Sequence, residues 1–418
     1  MTRTESRQQP ATLVQAAGLS YFPVALLARL PYAMMVVGVL TLVVSARGEL
    51  ALGGLTSAMV GLGTAILGPL IGAAADRIGQ RRVVLATAIA NSVALLGMAL
   101  VVFSPAADIV VLLVAFAIGA TAPQVSPMSR SRLVGIIADR LPGDRHAAVL
   151  NGTMAYESAA DEVVFVFGPF IVGLLATTLN PAAPVIGAAV LTLVFVTAFA
   201  LHRSGNAVPL AEDGMPVRQA PARELARPAL VAVTVGVLGM GLFFGSMLTA
   251  LTSFLSDFGH PEQAGLVYGV MGVGSAALAL GVAWFPLRFS LRARWLTFAG
   301  ILTASTLALP LVSTVPGMLL VLLVAGFGVG PTLVTQYSFG AERSPLGRSA
   351  TVMTMLGSAV IVGQSAASAL VGALGESLGT PAAMLAPPAA ALIVLGAGVA
   401  NWFLTGRRPA PSRPQPAA

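Results

Sequence analysis

Long apolar runs broken by short polar turns set the pattern of this chain. Residues 51–75 and 83–107 each run 25 positions without a charged side chain. At 1.5 Å per helical residue each run reaches roughly 37 Å, enough to cross a hydrocarbon core of about 30 Å with some tilt. The same length and punctuation predict spans at 21–45, 51–75, 83–104, 108–129, 150–177 and 182–201, and then at 229–255, 264–285, 295–313, 317–339, 349–374 and 382–404. Between the two sets, residues 202–228 are polar and carry Pro209, Pro216, Pro221 and Pro228, which reads as a linker. The predicted fold is therefore an all-α integral membrane protein of twelve transmembrane helices. Its organisation is an N-terminal six-helix half (1–201), a linker (202–228), a C-terminal six-helix half (229–405) and a tail (406–418).

Composition supports the membrane reading. Charged residues make up 9% of the chain, against about 25% in soluble domains, and apolar residues 56%. There is no Cys to build a disulfide framework or a thiolate metal site, and residues 1–20 are too polar for a cleaved signal peptide. The net charge of +7 comes from 23 basic residues that are all Arg, and 21 of them fall at alternate turns or termini. That asymmetry is a topology signal, not a nucleic-acid stripe, and it predicts a plasma (inner cell) membrane protein with both termini cytoplasmic. Only Arg47, in an outer turn beside Glu49, and Arg29, inside the first span, break the rule.

The turn after the second span holds Gly72, Asp76, Arg77, Gly79, Arg81 and Arg82. Its spacing resembles the signature G-x-x-x-D-R-x-G-x-R-R between the second and third helices of the major facilitator superfamily, with Ala74 and Gln80 as departures. The resemblance implies two six-helix halves around a central site, and secondary transport by alternating access. It also implies that Asp76 holds the inner ends of the two halves together. Weak echoes between the halves at an offset of roughly 200 residues, such as Gly119 and Pro123 with Gly328 and Pro331, agree with it. Gly168, Pro169 and Gly173 resemble part of an antiporter element of the superfamily's bacterial drug:proton branch, with Val164 in place of its upstream Gly. An ordinary proline kink would also account for them.

Candidate chemistry concentrates in the fifth span, where Glu157, Asp161 and Glu162 sit in an apolar helix. Intramembrane carboxylates cost about 2.5 to 3.5 kcal/mol each at mid-helix, so they need partners or a function. Glu157 and Asp161, four apart, share a face, and Glu162 points about 100° away from Asp161. Candidate partners are Arg29, Arg130 and Arg132, none of which neutralises by losing its proton. Glu157, some 10 Å from the predicted helix start, is expected to pair with Arg130 or Arg132. Asp161 and Glu162, roughly 17 Å in, are expected to couple protons or substrate near the midplane. Tyr32, Gln124, Tyr268, Gln336, Tyr337 and Gln364 could line a cavity, or hydrogen-bond between helices.

No Walker loop, zinc spacing or nucleophile elbow appears, so neither an enzyme nor an ATP-driven pump is expected, and no cofactor or metal. The predicted function is secondary active transport, as proton-coupled efflux of small amphipathic compounds or as proton-coupled uptake of a polar nutrient such as a sugar or carboxylate. The alternative of another class is a non-transporting receptor or scaffold, against which the costly midplane carboxylates count. Expected partners are a small-molecule substrate, protons and the lipid bilayer, with the chain monomeric and no nucleic acid.

Overall fold

A computed structural model of the chain describes residues 12–206, 219–259, 264–286 and 288–405. The predicted tail and the middle of the predicted linker lie outside the described residues. All regular structure among the described residues is helical. A one-turn α1 (Leu13–Ala17) precedes α2 (Tyr21–Leu27) and α3 (Leu30–Arg47); α4 (Leu50–Ile78), α5 (Gln80–Val101), α6 (Asp108–Ala120), α7 (Val125–Arg140) and α8 (His146–Thr178) follow. Next come α9 (Ala183–Leu191) and α10 (Thr197–Leu201), then α11 (Pro228–Asp257), α12 (Ala264–Gly281), α13 (Leu291–Thr306), α14 (Val315–Arg343), α15 (Ser349–Leu378), α16 (Thr380–Ala383) and α17 (Ala386–Thr405).

Ten helical segments among the described residues are long and apolar enough to cross a membrane. Twelve were predicted. The remaining two predicted spans fall on α8, which carries Glu157, Asp161 and Glu162, and on α13, whose 16 residues reach about 24 Å. Many large apolar side chains, among them Leu62, Ile66, Leu70, Ile89, Val93, Leu100, Phe167 and Phe170, are exposed along these helices, as a lipid-facing surface requires.

Three predicted spans are interrupted. The first breaks between α2 and α3 at Ala28 and Arg29, because Pro31 in the first turn of α3 has no N–H to continue the ladder. The fourth breaks between α6 and α7 at residues 121–124, where Pro123 stands, and α7 then runs to Arg140, eleven residues beyond the predicted end. The sixth carries a π-helical turn, Thr192–Val196, between α9 and α10.

The predicted hairpin turn from Asp76 to Arg82 is not a loop. Only Gly79 separates α4 from α5, and its φ of +93° is a backbone conformation that side chains beyond glycine rarely adopt. Asp76 and Arg77 therefore close the last turn of α4, and Arg81 and Arg82 open α5. The apolar runs understate helix length because polar side chains at a membrane surface leave the backbone ladder intact.

Packing separates along the sequence. One apolar core is built from residues after Leu230, joined by Met154 and Ala155 of α8. Two further cores are built from residues before 201, joined by Ala350. The two sequence halves meet chiefly through α4 on α15 and α8 on α12 and α14. Gly72 makes the first approach possible: a Cβ there would run into Thr354 Oγ1 and the Ala350 carbonyl. Gly236, Gly239, Gly241 and Gly245 of α11 are likewise packed against Trp295, Val394, Val360 and Gln364, so this glycine run serves close helix contact.

Candidate functional site

Two features of the bundle define the candidate site: a capped contact between α4 and α15 and a buried charge network. At the first of these the Asp76 carboxylate reaches across to the first turn of α15. It accepts from the Ala350 amide at 3.1 Å, the Thr351 amide at 2.7 Å and the Thr351 hydroxyl at 2.6 Å. Asp76 is thus an N-terminal cap supplied in trans, meeting the unpaired amides and positive end of α15 with a negative charge. The other motif residues serve the turn. Gly72 admits α15 and Gly79 makes the sharp connection, while Arg77, Arg81 and Arg82 are exposed on the arginine-rich end. Thr351, the partner of Asp76 through both its amide and its hydroxyl, was not singled out in the sequence.

The network lies in the first half, next to the broken first and fourth spans. Arg29, placed at the α2–α3 break, donates from Nη2 to Glu157 Oε2 at 2.5 Å and lies 3.5 Å from Asp161 Oδ1 through Nε. Glu157 Oε1 accepts from Ser129 at 2.9 Å, and Ser129 shares a 2.8 Å hydrogen bond with the Tyr21 hydroxyl. Asp161 Oδ2 accepts from Arg130 Nη2 at 2.7 Å and from Ser126 at 2.8 Å, with Arg130 Nη1 donating to the same serine at 2.6 Å. The guanidinium of Arg130 also lies 4.0 Å from the ring centroid of Tyr337, a residue of α14 in the other half.

Two cations and two carboxylates therefore neutralise one another in an apolar bundle, the condition under which buried charges are tolerated. Their exposure differs. Glu157 is fully buried, Arg29 and Arg130 are 3% exposed, and Asp161 retains 21%. The pairing corrects the sequence expectation: Glu157 belongs to Arg29, and Arg130 to Asp161. Residues 157 and 161 share a face of α8, but Arg29 enters at the depth of the break, level with Glu157, which the predicted continuous first helix did not anticipate. Arg132 is not in the network. It points the opposite way, donating to Gln80 at 3.3 Å, the Phe199 carbonyl at 3.0 Å and Ser204 at 3.2 Å, and it lies over the Phe199 ring at 4.0 Å. Glu162 sits in α8, and its side chain lies outside the described residues.

The cavity candidates divide. Tyr337 joins the network, and Tyr32 interacts with Thr64. Gln124 sits in the break of the fourth span, donating to the Ala122 carbonyl at 3.0 Å. Gln336, next to Tyr337, is fully buried in the second half beside Gly236 and Trp295, away from Arg130. Gln364 is exposed on α15, and Tyr268 is half-buried on α12. Gly168 lets α8 approach Ala33 of α3, Pro169 falls within α8, and Gly173 faces open space. Ser126 and Ser129 were missed, although their spacing with Arg130 puts all three on adjoining positions of one helix surface.

The described helices thus form a membrane-type bundle with a buried charge network among α3, α7 and α8 and a capped contact between α4 and α15. The sequence matches the Major Facilitator Superfamily over residues 21–360, most of the chain, and the protein belongs to that superfamily. Among solved structures it resembles the human organic anion transporter MFSD10 (TETRAN), at 17% identity and a TM-score of 0.67, over 93% of this chain and 99% of that one. A bacterial homologue of the iron transporter ferroportin in an outward-facing state gives 15% identity and a TM-score of 0.71 over the same shares. The E. coli fucose:proton symporter FucP gives 14% and 0.62, over 91% and 99%. These likenesses establish the fold. No curated protein matches the sequence.

Proposed function

We propose that this transporter couples proton movement to the export of small amphipathic compounds, as a member of the drug:proton antiporter-like branch. Twelve spans would form two halves, 1–201 and 229–405, joined by the linker 202–228, with the arginine-rich end and both termini in the cytoplasm of a plasma-membrane monomer. The observation that carries the reading is Asp161, the partly exposed carboxylate of the network, which shares Arg130 with Tyr337 of the opposite half. Protonating Asp161 removes the charge that holds Arg130 and leaves a neutral carboxyl, so the contact between Arg130 and Tyr337 becomes sensitive to the proton. Glu157, sealed against Arg29 and Ser129, keeps the scaffold in register. Gly168, Pro169 and Gly173 fit a flexing element of α8 in the same cycle.

A second reading, proton-coupled uptake of a polar or carboxylate nutrient, is favoured by buried guanidinium groups with unused donors, Nη1 of Arg29 and Nε of Arg130. Transport by purified protein in liposomes, with an imposed proton gradient of either sign and a panel of amphipathic cations, carboxylates and sugars, separates the two. Export requires gradient-driven movement of amphipathic compounds against the proton flux that Asp161→Asn loses. Gradient-driven transport undiminished in Asp161→Asn would remove the coupling role.

A further inference from the structure

The segment before α11 is tied to the turn between α14 and α15, and the sequence explains how. Pro221 disfavours a helical conformation at the residue before it, so Ala220 runs extended and can pair sideways through both its N–H and its carbonyl. Both are used. The Ala220 amide donates to the Leu346 carbonyl at 3.0 Å, and the Ala220 carbonyl accepts from Arg348 Nε at 2.5 Å. Beyond this pairing the chain is anchored. A 3-10 turn, Ala222–Ala226, leads through Arg227 into Pro228 at the start of α11, Glu224 and Arg227 approach to 2.8 Å, and Leu225 packs on the apolar core built after Leu230.

Arg348 is electrostatically misplaced where it stands. It occupies the N-cap position of α15, yet its side chain has no acceptor to offer the first amides of the helix. Its positive charge also lies at the positive end of the helix dipole. Asp76 answers both needs: its carboxylate accepts from the Ala350 and Thr351 amides, and the Arg348 charge acts on it. Arg348 is 7% exposed, and the bond to Ala220 fixes where its guanidinium lies. The pairing also sits at the seam between α4 and α15. Arg77, the residue after Asp76, lines the same cleft as Gln219, Ala220, Pro221 and Arg348.

We propose that residues 219–221 form a strap that holds Arg348 beside Asp76 and so sets how readily α4 and α15 part. Arg348 is a positioning residue: it acts through Asp76, and Ala220 acts through Arg348. While Ala220 is paired, the cation stays beside the carboxylate and the cap that Asp76 supplies is reinforced. When Ala220 lets go, the guanidinium turns to solvent, the charge interaction weakens and the contact opens more easily. The strap does not depend on proton coupling or on the direction of transport.

The test uses full-length protein in detergent with spin labels at Ile78→Cys and Leu346→Cys, both exposed positions whose side chains take no part in the pairing. Arg348→Met keeps the length and removes the guanidinium, and it should raise the population with the labels far apart about two- to fivefold, the weight of one charge interaction. Ala220→Pro keeps every charge and removes the amide that ties the segment to Leu346, so it should shift the distances in the same direction and less far. In an Asp76→Asn background neither substitution should add to the shift, whereas a residue that merely stabilises the fold would add to it. Arg223→Ala, at an exposed position of the same segment outside the pairing, should leave the distances unchanged. If Arg348→Met does not fold, Ala220→Pro decides alone. Distances unmoved by the substitutions, or shifts that persist in full beside Asp76→Asn, would overturn the proposal.

Discussion

Asp76 and Thr351, 275 positions apart, are joined by hydrogen bonds of 2.7 Å to the amide and 2.6 Å to the hydroxyl. The carboxylate of one half therefore ends a helix of the other, and the contact exists only while the arginine-rich ends are together. Asp76→Asn replaces one accepting oxygen by an amide donor and removes the charge at the helix end. A cap of this kind is worth about 0.5 to 2 kcal/mol, which predicts a roughly two- to thirtyfold shift toward the separated state. The chain has no native Cys, so spin labels on Cys replacing Arg77 and Leu346, both exposed, report the separation directly. An unchanged distance distribution in Asp76→Asn would reduce the motif to a topology signal.

Gly72 should be as sensitive as Asp76, for a steric reason. A methyl group there meets both Thr354 Oγ1 and the Ala350 carbonyl, so Gly72→Ala must push α15 away, while Gly97→Ala on α5 meets nothing within 4 Å. The expected outcome is loss of transport with normal expression for the first and near wild-type transport for the second. Comparable activity of the two in liposomes would contradict the close approach.

His202 yields a pH prediction with a definite sign. Burial and the positive charges of Arg132 and Arg203 hold its folded-state affinity for protons below the ordinary 6.5, so the unfolded chain binds more protons and stability falls as pH drops through that value. In lipid-free detergent the midpoint of wild-type protein should therefore decline more between pH 7.5 and 5.5 than that of His202→Gln. The histidine is partly exposed, so the difference should be small. A steeper decline in the variant would reverse the sign and remove the assignment.

Much of this architecture is legible in the chain because apolar length is a one-dimensional signal. The all-helical membrane character and ten of the predicted spans follow from it. What escaped was decided by breaks and depth. Pro31 and Pro123 interrupt two predicted continuous spans, and the first break sets Arg29 level with Glu157, so the pairing of charges could not be read from spacing along one helix. Arg130 and Arg132, two residues apart, point about 200° from one another on α7. One enters the network and the other leaves it, a division fixed by neighbours that only the packing of α10 and α14 supplies.

Arg47 illustrates a charge whose role is local. It donates to the Val102, Ser104 and Ala106 carbonyls at 2.8, 3.0 and 3.0 Å, closing the end of α5 near solvent. Arg47→Ala should cost about 1 to 2 kcal/mol, as expected for a partly buried interaction with a helix C-terminus, and leave transport intact. A stability loss matching that of Arg29→Ala would show that burial is not what distinguishes them.

The pair of Arg29 and Glu157 gives the sharpest prediction, because removing one member of a buried pair differs from removing both. Glu157→Gln leaves Arg29 facing only Asp161, which lies at 3.5 Å through Nε and is already engaged with Arg130. Breaking a buried pair in this way costs about 3 to 5 kcal/mol, so the variant should unfold at a markedly lower temperature in detergent. Arg29→Met with Glu157→Leu removes both charges and retains the apolar volume, and a substantial part of the loss should return, since no unpaired charge remains there. Ser129 and Tyr21 would keep their 2.8 Å hydrogen bond to each other in the double variant. Asp161→Asn, at the partly exposed position, should be milder in stability than Glu157→Gln and more severe in its effect on gradient-driven transport. If the double variant were as unstable as Glu157→Gln, the charges would be acting through the wider network and not as a pair, and the division between a sealed scaffold residue and an accessible coupling residue would fail.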